Sequence, residues 1–288
     1  MNSIKSFDLT PSEDQLLAEA AIFLSRPGVV AKSLSLIGKP VEAAHRSLPG
    51  FAKNFVAKAS EKAIKQALKF ALSSLPARDA VSSPSLARKS ARGHQSMASF
   101  AGALSGFVGL PLLPLELPFT TVVILRGILD QAKHAGLDLD DPEIRLEALM
   151  VFAMSPGVAP SDDAIASYFA TRTAFSRLAQ KAISYSAAMS ARELVSSIDK
   201  GTSPILLKLI SQVAEKFQIQ VSQKILAKGV PVAGAIGGGT INFAFSQFFI
   251  TAAKYHFGIR ALEKKYGNER VQEILQQKVT LTSRLDIY

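Results

Sequence analysis

Residues 229–253 read GVPVAGAIGGGTINFAFSQFFITAA, twenty-five positions without a charge between Lys228 and Lys254. A membrane-crossing helix needs roughly 20 mainly apolar residues, so length alone allows a span. Composition points elsewhere. Gly229, Gly234, Gly237, Gly238 and Gly239 crowd the first half, and Thr240, Asn242, Ser246 and Gln247 interrupt the second. Small residues let helix backbones approach closely, while Phe243, Phe245, Phe248 and Phe249 supply bulk on the other turns. The stretch reads as core helix first and membrane-inserting surface second.

A second uncharged run, QSMASFAGALSGFVGLPLLPL, covers residues 95–115. Gly102, Gly106 and Gly109 are spaced by four and three, which places them on one helix face. Together with Gly234, Gly237 and Gly238 they are the expected helix-packing glycines. Alanine, serine and leucine dominate, and strand-like alternation is scarce. The expectation is an all-α, multi-helix single domain built around two glycine-rich apolar helical segments, with roughly nine helices.

The chain has 288 residues, enough to bury a sizeable core without a staple. Charged residues make up 19%, below the roughly 25% of an average soluble domain. The absence of cysteine excludes disulfides, thiolate catalysis and cysteine-held metals. Asp8, Glu13, Asp14 and Glu19 occupy the place of a basic leader region, so no secretory leader is expected. Net charge is +10 and unevenly spread: residues 53–92 hold nine basic residues against Glu61 and Asp79. This divides the chain into an N-terminal helical segment with a basic helix and linker, 1–92, and a helical domain, 93–288.

Local signals place the helices. Thr10-Pro11 with Glu13 and Asp14 is a capped start for a helix to Ser25. Pro49-Gly50 precedes a helix from Phe51 to Leu75, on which Lys58, Lys62, Lys65 and Lys69 share a face and Val56, Ala63, Ala67, Phe70 and Ala71 gather opposite. Further helices are expected at 119–135, at 144–154 with Asp141 as cap, at 164–197 as one long or bent helix, at 205–227 and at 259–278.

Glu116 stands out because a carboxylate flanked by LPLLPL and LPF is costly unless paired, hydrogen-bonded or protonated. Arg126 is one possible partner; Asn242 is another if the two glycine runs pack together. Glu116 reads as a cap on a helix starting at Phe119, as an ion or proton site, or as part of an exposed turn. His45, His94, His134 and His256 show no metal-ligand spacing, so no metal or cofactor is expected. His256 is placed at a helix end. No GxSxG elbow occurs, and no Lys-Ser/Thr follows the glycines as in a phosphate loop. The lysine face is open to three readings: a solvated surface, an anionic-lipid surface, or a nucleic-acid surface that lacks interleaved aromatics.

Two stretches carry a family resemblance. GHQSMASFAGALSGFVGLPLLPLELPFTTVVILRGILDQAKHAGLDLDDPE, residues 93–143, has a glycine-rich helix, a proline–acid–Leu–Pro turn and a basic-Xaa-Gly helix end. VPVAGAIGGGTINFAFSQFFITAAKYHFGIRALEKKYG, residues 230–267, ends in Arg260-Ala261-Leu262-Glu263-Lys264-Lys265-Tyr266-Gly267. Together they resemble the EcsC family of bacterial proteins, whose turn more often carries Asp where this chain has Glu116. The resemblance implies a helical, membrane-associated or transporter-linked accessory protein of unestablished reaction. The expected function is a non-enzymatic peripheral protein on the inner, cytoplasmic face of the cell membrane. Its partner is an anionic membrane surface or a membrane transporter, not nucleic acid, with Lys58, Lys62, Lys65 and Lys69 as the contacting face. The alternatives are a hydrolase-like enzyme using Glu116 in an apolar pocket, and an integral membrane protein with helical hairpins.

Overall fold

The computed structural model describes residues 9–25, 48–73, 113–154, 164–187, 189–228 and 238–285. The expected packing glycines Gly102, Gly106, Gly109, Gly234 and Gly237, the linker 76–92, His45 and His94 lie outside them. Among the described residues there are nine α-helices and no strands, as the composition led us to expect. In chain order they are α1 (Pro11–Ser25), α2 (Gly50–Ser73), α3 (Leu113–His134), α4 (Pro142–Met150), α5 (Ala164–Ser186), α6 (Ala191–Lys200), α7 (Pro204–Lys228), α8 (Gly238–Tyr266) and α9 (Asn268–Leu285). A 3₁₀ turn, Val151–Ala153, follows α4.

One hydrophobic core joins them. α2 buries Val56, Ala63, Ala67 and Ala71, the side opposite its lysines, against α3 and α7. At the centre the rings of Phe152, Phe217, Phe245 and Phe249 meet at centroid distances of 5.1–6.0 Å, the offset and edge-on geometry aromatic pairs favour. α7 runs antiparallel to α8: Lys224 lies over the ring of Phe245, and Phe217, two turns earlier, touches Phe249. α1 joins the core through Leu17, Ala20 and Ala21. Its foreseen cap forms as a capping box, with the Glu13 N–H donating to Thr10 Oγ1 and the Thr10 N–H to Glu13 Oε2. Asp141 likewise caps α4 by accepting from the Glu143 N–H at 2.8 Å.

Three helix boundaries differ from expectation. α3 begins at Leu113 rather than Phe119: Pro114 falls in the first turn, where a helix leaves its amide hydrogens unused, and Pro118 is carried inside the helix at the loss of one backbone bond. The 164–197 segment is two helices: Ser190 and Glu193 form a capping box that starts α6 afresh. The break near the C-terminus lies at Gly267, not before Ile259. Gly267 has φ +91°, so α8 runs unbroken to Tyr266 and the chain then turns into α9. His256 is therefore mid-helix.

Gly258 on α8 sets the approach of α1, since a Cβ there would stand 2.8 Å from Leu16 Cδ1. Gly258→Val is expected to cost about 1–3 kcal/mol in denaturant unfolding by overpacking this contact. Leu16→Ala in the same chain should recover part of that loss, a non-additivity that independent sites would not show.

Candidate functional site

Helix α8 carries a polar group towards each end, separated by its phenylalanines. Asn242 and Ser246 lie near its start and His256, Arg260 and Glu263 near its end, all but Arg260 buried.

At the first pole Glu116 meets two partners. Lys224 Nζ lies 3.1 Å from its Oε1, and Asn242 Nδ2 donates to the same oxygen at 3.3 Å. The Lys224 side chain is 1% exposed and that of Glu116 8%. The ammonium also sits 4.9 Å above the Phe245 ring, whose negative face favours a cation. Asn242 is thus the partner that the sequence offered. Arg126 is not brought to Glu116; it is exposed and lies 5.0 Å over the ring of Phe70. Lys224 went unrecognised because lysines on an apolar helix normally face water. A signal was present: Gln220, Gln223 and Lys224 are spaced three and four apart, so these polar residues line one face.

At the second pole three helices contribute i, i+4 stripes: Glu143 and Glu147 from α4, Tyr168 and Arg172 from α5, His256 and Arg260 with Glu263 from α8. Arg172 binds Glu263 through two parallel bonds of 2.7 and 2.6 Å, the fork geometry of a strong pair. Arg260 reaches Glu147 at 2.9 Å and Glu263 at 3.4 Å. His256 is clasped between the Tyr168 hydroxyl, 2.9 Å from Nδ1, and Glu147 Oε1, 3.2 Å from Nε2. A cleft of about 420 Å³ opens beside these groups, lined also by Arg177, Asn268 and Gln272. Burial pushes the Glu147 carboxyl up, but His256, then Arg260 and Arg172, outweigh it and hold it down at about 2. Burial drives the Tyr168 hydroxyl well above the ordinary tyrosine range, so it stays protonated. Among the described residues no three His, Asp or Glu converge as metal ligands. None of these residues was singled out as a site from sequence, since the partners lie about ninety to over a hundred positions apart.

The lysine face divides. Lys65 and Lys69 both reach Asp199 near the end of α6, whereas Lys58 and Lys62 are exposed. Gly238 opens α8.

The family model described as EcsC protein family matches residues 31–262. The chain belongs to the EcsC protein family. The matched span takes in the first pole, all of helices α2 to α7, and the second pole as far as Arg260, stopping one residue short of Glu263. No curated protein and no solved structure matches this EcsC chain.

Removing one charge of the first pole should be costly, because the other is then left buried without it. Lys224→Met is expected to destabilise by about 3–5 kcal/mol in urea unfolding, and Glu116→Gln in the same chain should restore most of the loss. Glu147 gives a pH dependence. Its folded pKa lies below the ordinary value of 4.5, so its contribution is complete above pH 4.5 and is lost as pH falls towards 2. Glu147→Gln should flatten the acid limb of a melting-temperature profile in that window, by up to about 3 kcal/mol.

Proposed function

We propose that this EcsC protein is a non-enzymatic peripheral membrane protein, an accessory that docks one end of its helical fold on an anionic bilayer. One observation carries the reading. The two uncharged runs of the sequence lead into α3 and α8, and the Glu116–Asn242 hydrogen bond holds the first turns of those helices side by side. Large apolar side chains stand in solvent at this shared end: Leu115 is 69% exposed, Phe119 55% and Phe243 43%. Exposed apolar groups gathered together mark an interaction surface, whereas scattered ones do not.

Charge supports an anionic partner. α2 is pinned away from this end, by Lys65 and Lys69 on Asp199 and by Phe70 under Arg126. Packed along α3 and α7, it runs its first half, with exposed Phe51, Lys58 and Lys62, towards the Glu116 end. Basic groups near such a surface contribute on the order of 1 kcal/mol each. Among the described residues no helix is long and apolar enough to cross a membrane, which disfavours a spanning hairpin built from them. Glu116 meets an ammonium and an amide rather than apolar walls alone, which disfavours the hydrolase reading.

Sedimentation with vesicles tests this. The protein should pellet with vesicles containing phosphatidylglycerol, less so in high salt, and much less with phosphatidylcholine alone. Leu115→Ser, Phe119→Ser and Phe243→Ser combined should weaken binding at least tenfold while leaving the helical circular dichroism intact. Lys58→Glu with Lys62→Glu should weaken it further and flatten its dependence on lipid charge. Equal binding to neutral and anionic vesicles, or no loss in the apolar triple variant, would overturn the proposal.

A further inference from the structure

Behind the Glu116 end lies a set of buried polar atoms that the fold leaves unmatched. Thr120 Oγ1, Gln220 Nε2, both polar ends of Gln223, Asn242 Oδ1 and Ser246 Oγ have no hydrogen-bond partner. All five residues are at most 1% exposed. Each is placed by helix periodicity beside the Glu116–Lys224–Asn242 contact or one turn deeper. Thr120 follows Glu116 by four, Ser246 follows Asn242 by four, and Gln220 precedes Lys224 by four. Because α7 is antiparallel to α8, these three steps point the same way, towards the interior.

Buried polar groups in folded proteins are nearly always satisfied, since an unmatched one forfeits its hydration for nothing. Six such atoms, on three helices that meet at the Glu116–Lys224–Asn242 contact, would line one shared chamber. Its wall combines hydroxyls, amide oxygens and amide N–H groups, and the one charge of each sign beside it is already paired, so it suits an uncharged ligand.

We propose that this chamber binds a neutral molecule offering both hydroxyl donors and acceptors: water, or the polyol headgroup of a lipid. Water makes about three hydrogen bonds in such sites, and the amides and hydroxyls supply them. A polyol presents the same chemistry, and the apolar side chains Leu115, Phe119 and Phe243 stand at the same end to receive the rest of a lipid. The chamber itself does not rest on membrane docking; only its lipid source does.

Thermal unfolding of the full chain decides, using Thr120→Val and Ser246→Ala, which remove hydroxyls with little change of shape. In an unoccupied, dry chamber both substitutions relieve an unmatched group and raise the melting temperature. Filled by water, each lowers it in buffer alone, by about 2–4 °C. Filled by a headgroup, the variants melt higher than the natural sequence in buffer, where the chamber stands empty, but lose the stabilisation given by phosphatidylglycerol vesicles and not by phosphatidylcholine vesicles. An unchanged or raised melting temperature in both arms overturns the proposal. Vesicle sedimentation of the same variants is read separately, so failure of membrane docking is distinguishable from failure of the chamber.

Discussion

A lysine ammonium with 1% of its side chain in water has to be neutralised where it sits, and the arrangement of this fold follows from that requirement. Lys224 ends up against the Glu116 oxygen that Asn242 also holds, and over the face of Phe245. That fixes the start of α3, the last turns of α7 and the start of α8 relative to one another. Buried pairs of this kind contribute little net stability, because desolvation offsets most of the attraction. Here the pair's contribution is one of register. Sliding α7 by a turn would strand the ammonium among phenylalanines.

With the three helices registered, α8 becomes the axis of the domain. Its middle supplies Phe245, Phe248 and Phe249 to the aromatic core, and Phe248 stacks on Phe23 of α1. Its far end meets the interlocked carboxylates and guanidiniums of α4 and α5, where Arg260 and Arg172 divide Glu147 and Glu263 between them. The polar poles prevent the phenylalanine stretch from packing in a shifted position, since dispersion among rings is tolerant of sliding and charge pairing is not.

The helical class, the caps at Thr10 and Asp141, the buried face of α2 and the family were legible in the sequence. These rest on local spacing or on contiguous motifs. Glu116 was legible as an oddity, and Asn242 as one of its two offered partners, because a carboxylate between prolines and leucines demands an explanation. Lys224 was not, since nothing local distinguishes a buried lysine from an exposed one. The Ser190–Glu193 capping box was visible as a motif but masked by the alanine-rich, helix-favouring residues around it. The charged cleft was out of reach: Tyr168, Glu147 and His256 become neighbours only through three-dimensional packing.

The turn at Gly267 has an effect on the order in which the molecule is completed. It folds α9 back so that α8 and α9 together grip α1. Lys265 and Tyr266 hold Glu13, Lys278 holds Asp14, and Lys254 holds Glu19. These contacts link residues 235 to 253 positions apart for the hydrogen-bonded pairs. A ribosome releases α1 well before the helices that grip it. During synthesis, α1 lacks the contacts it makes with α8 and α9 until those helices have emerged. Like a belt and its buckle, α1 and the α8–α9 pair close the fold across a long sequence separation, where the entropy lost on closure is large.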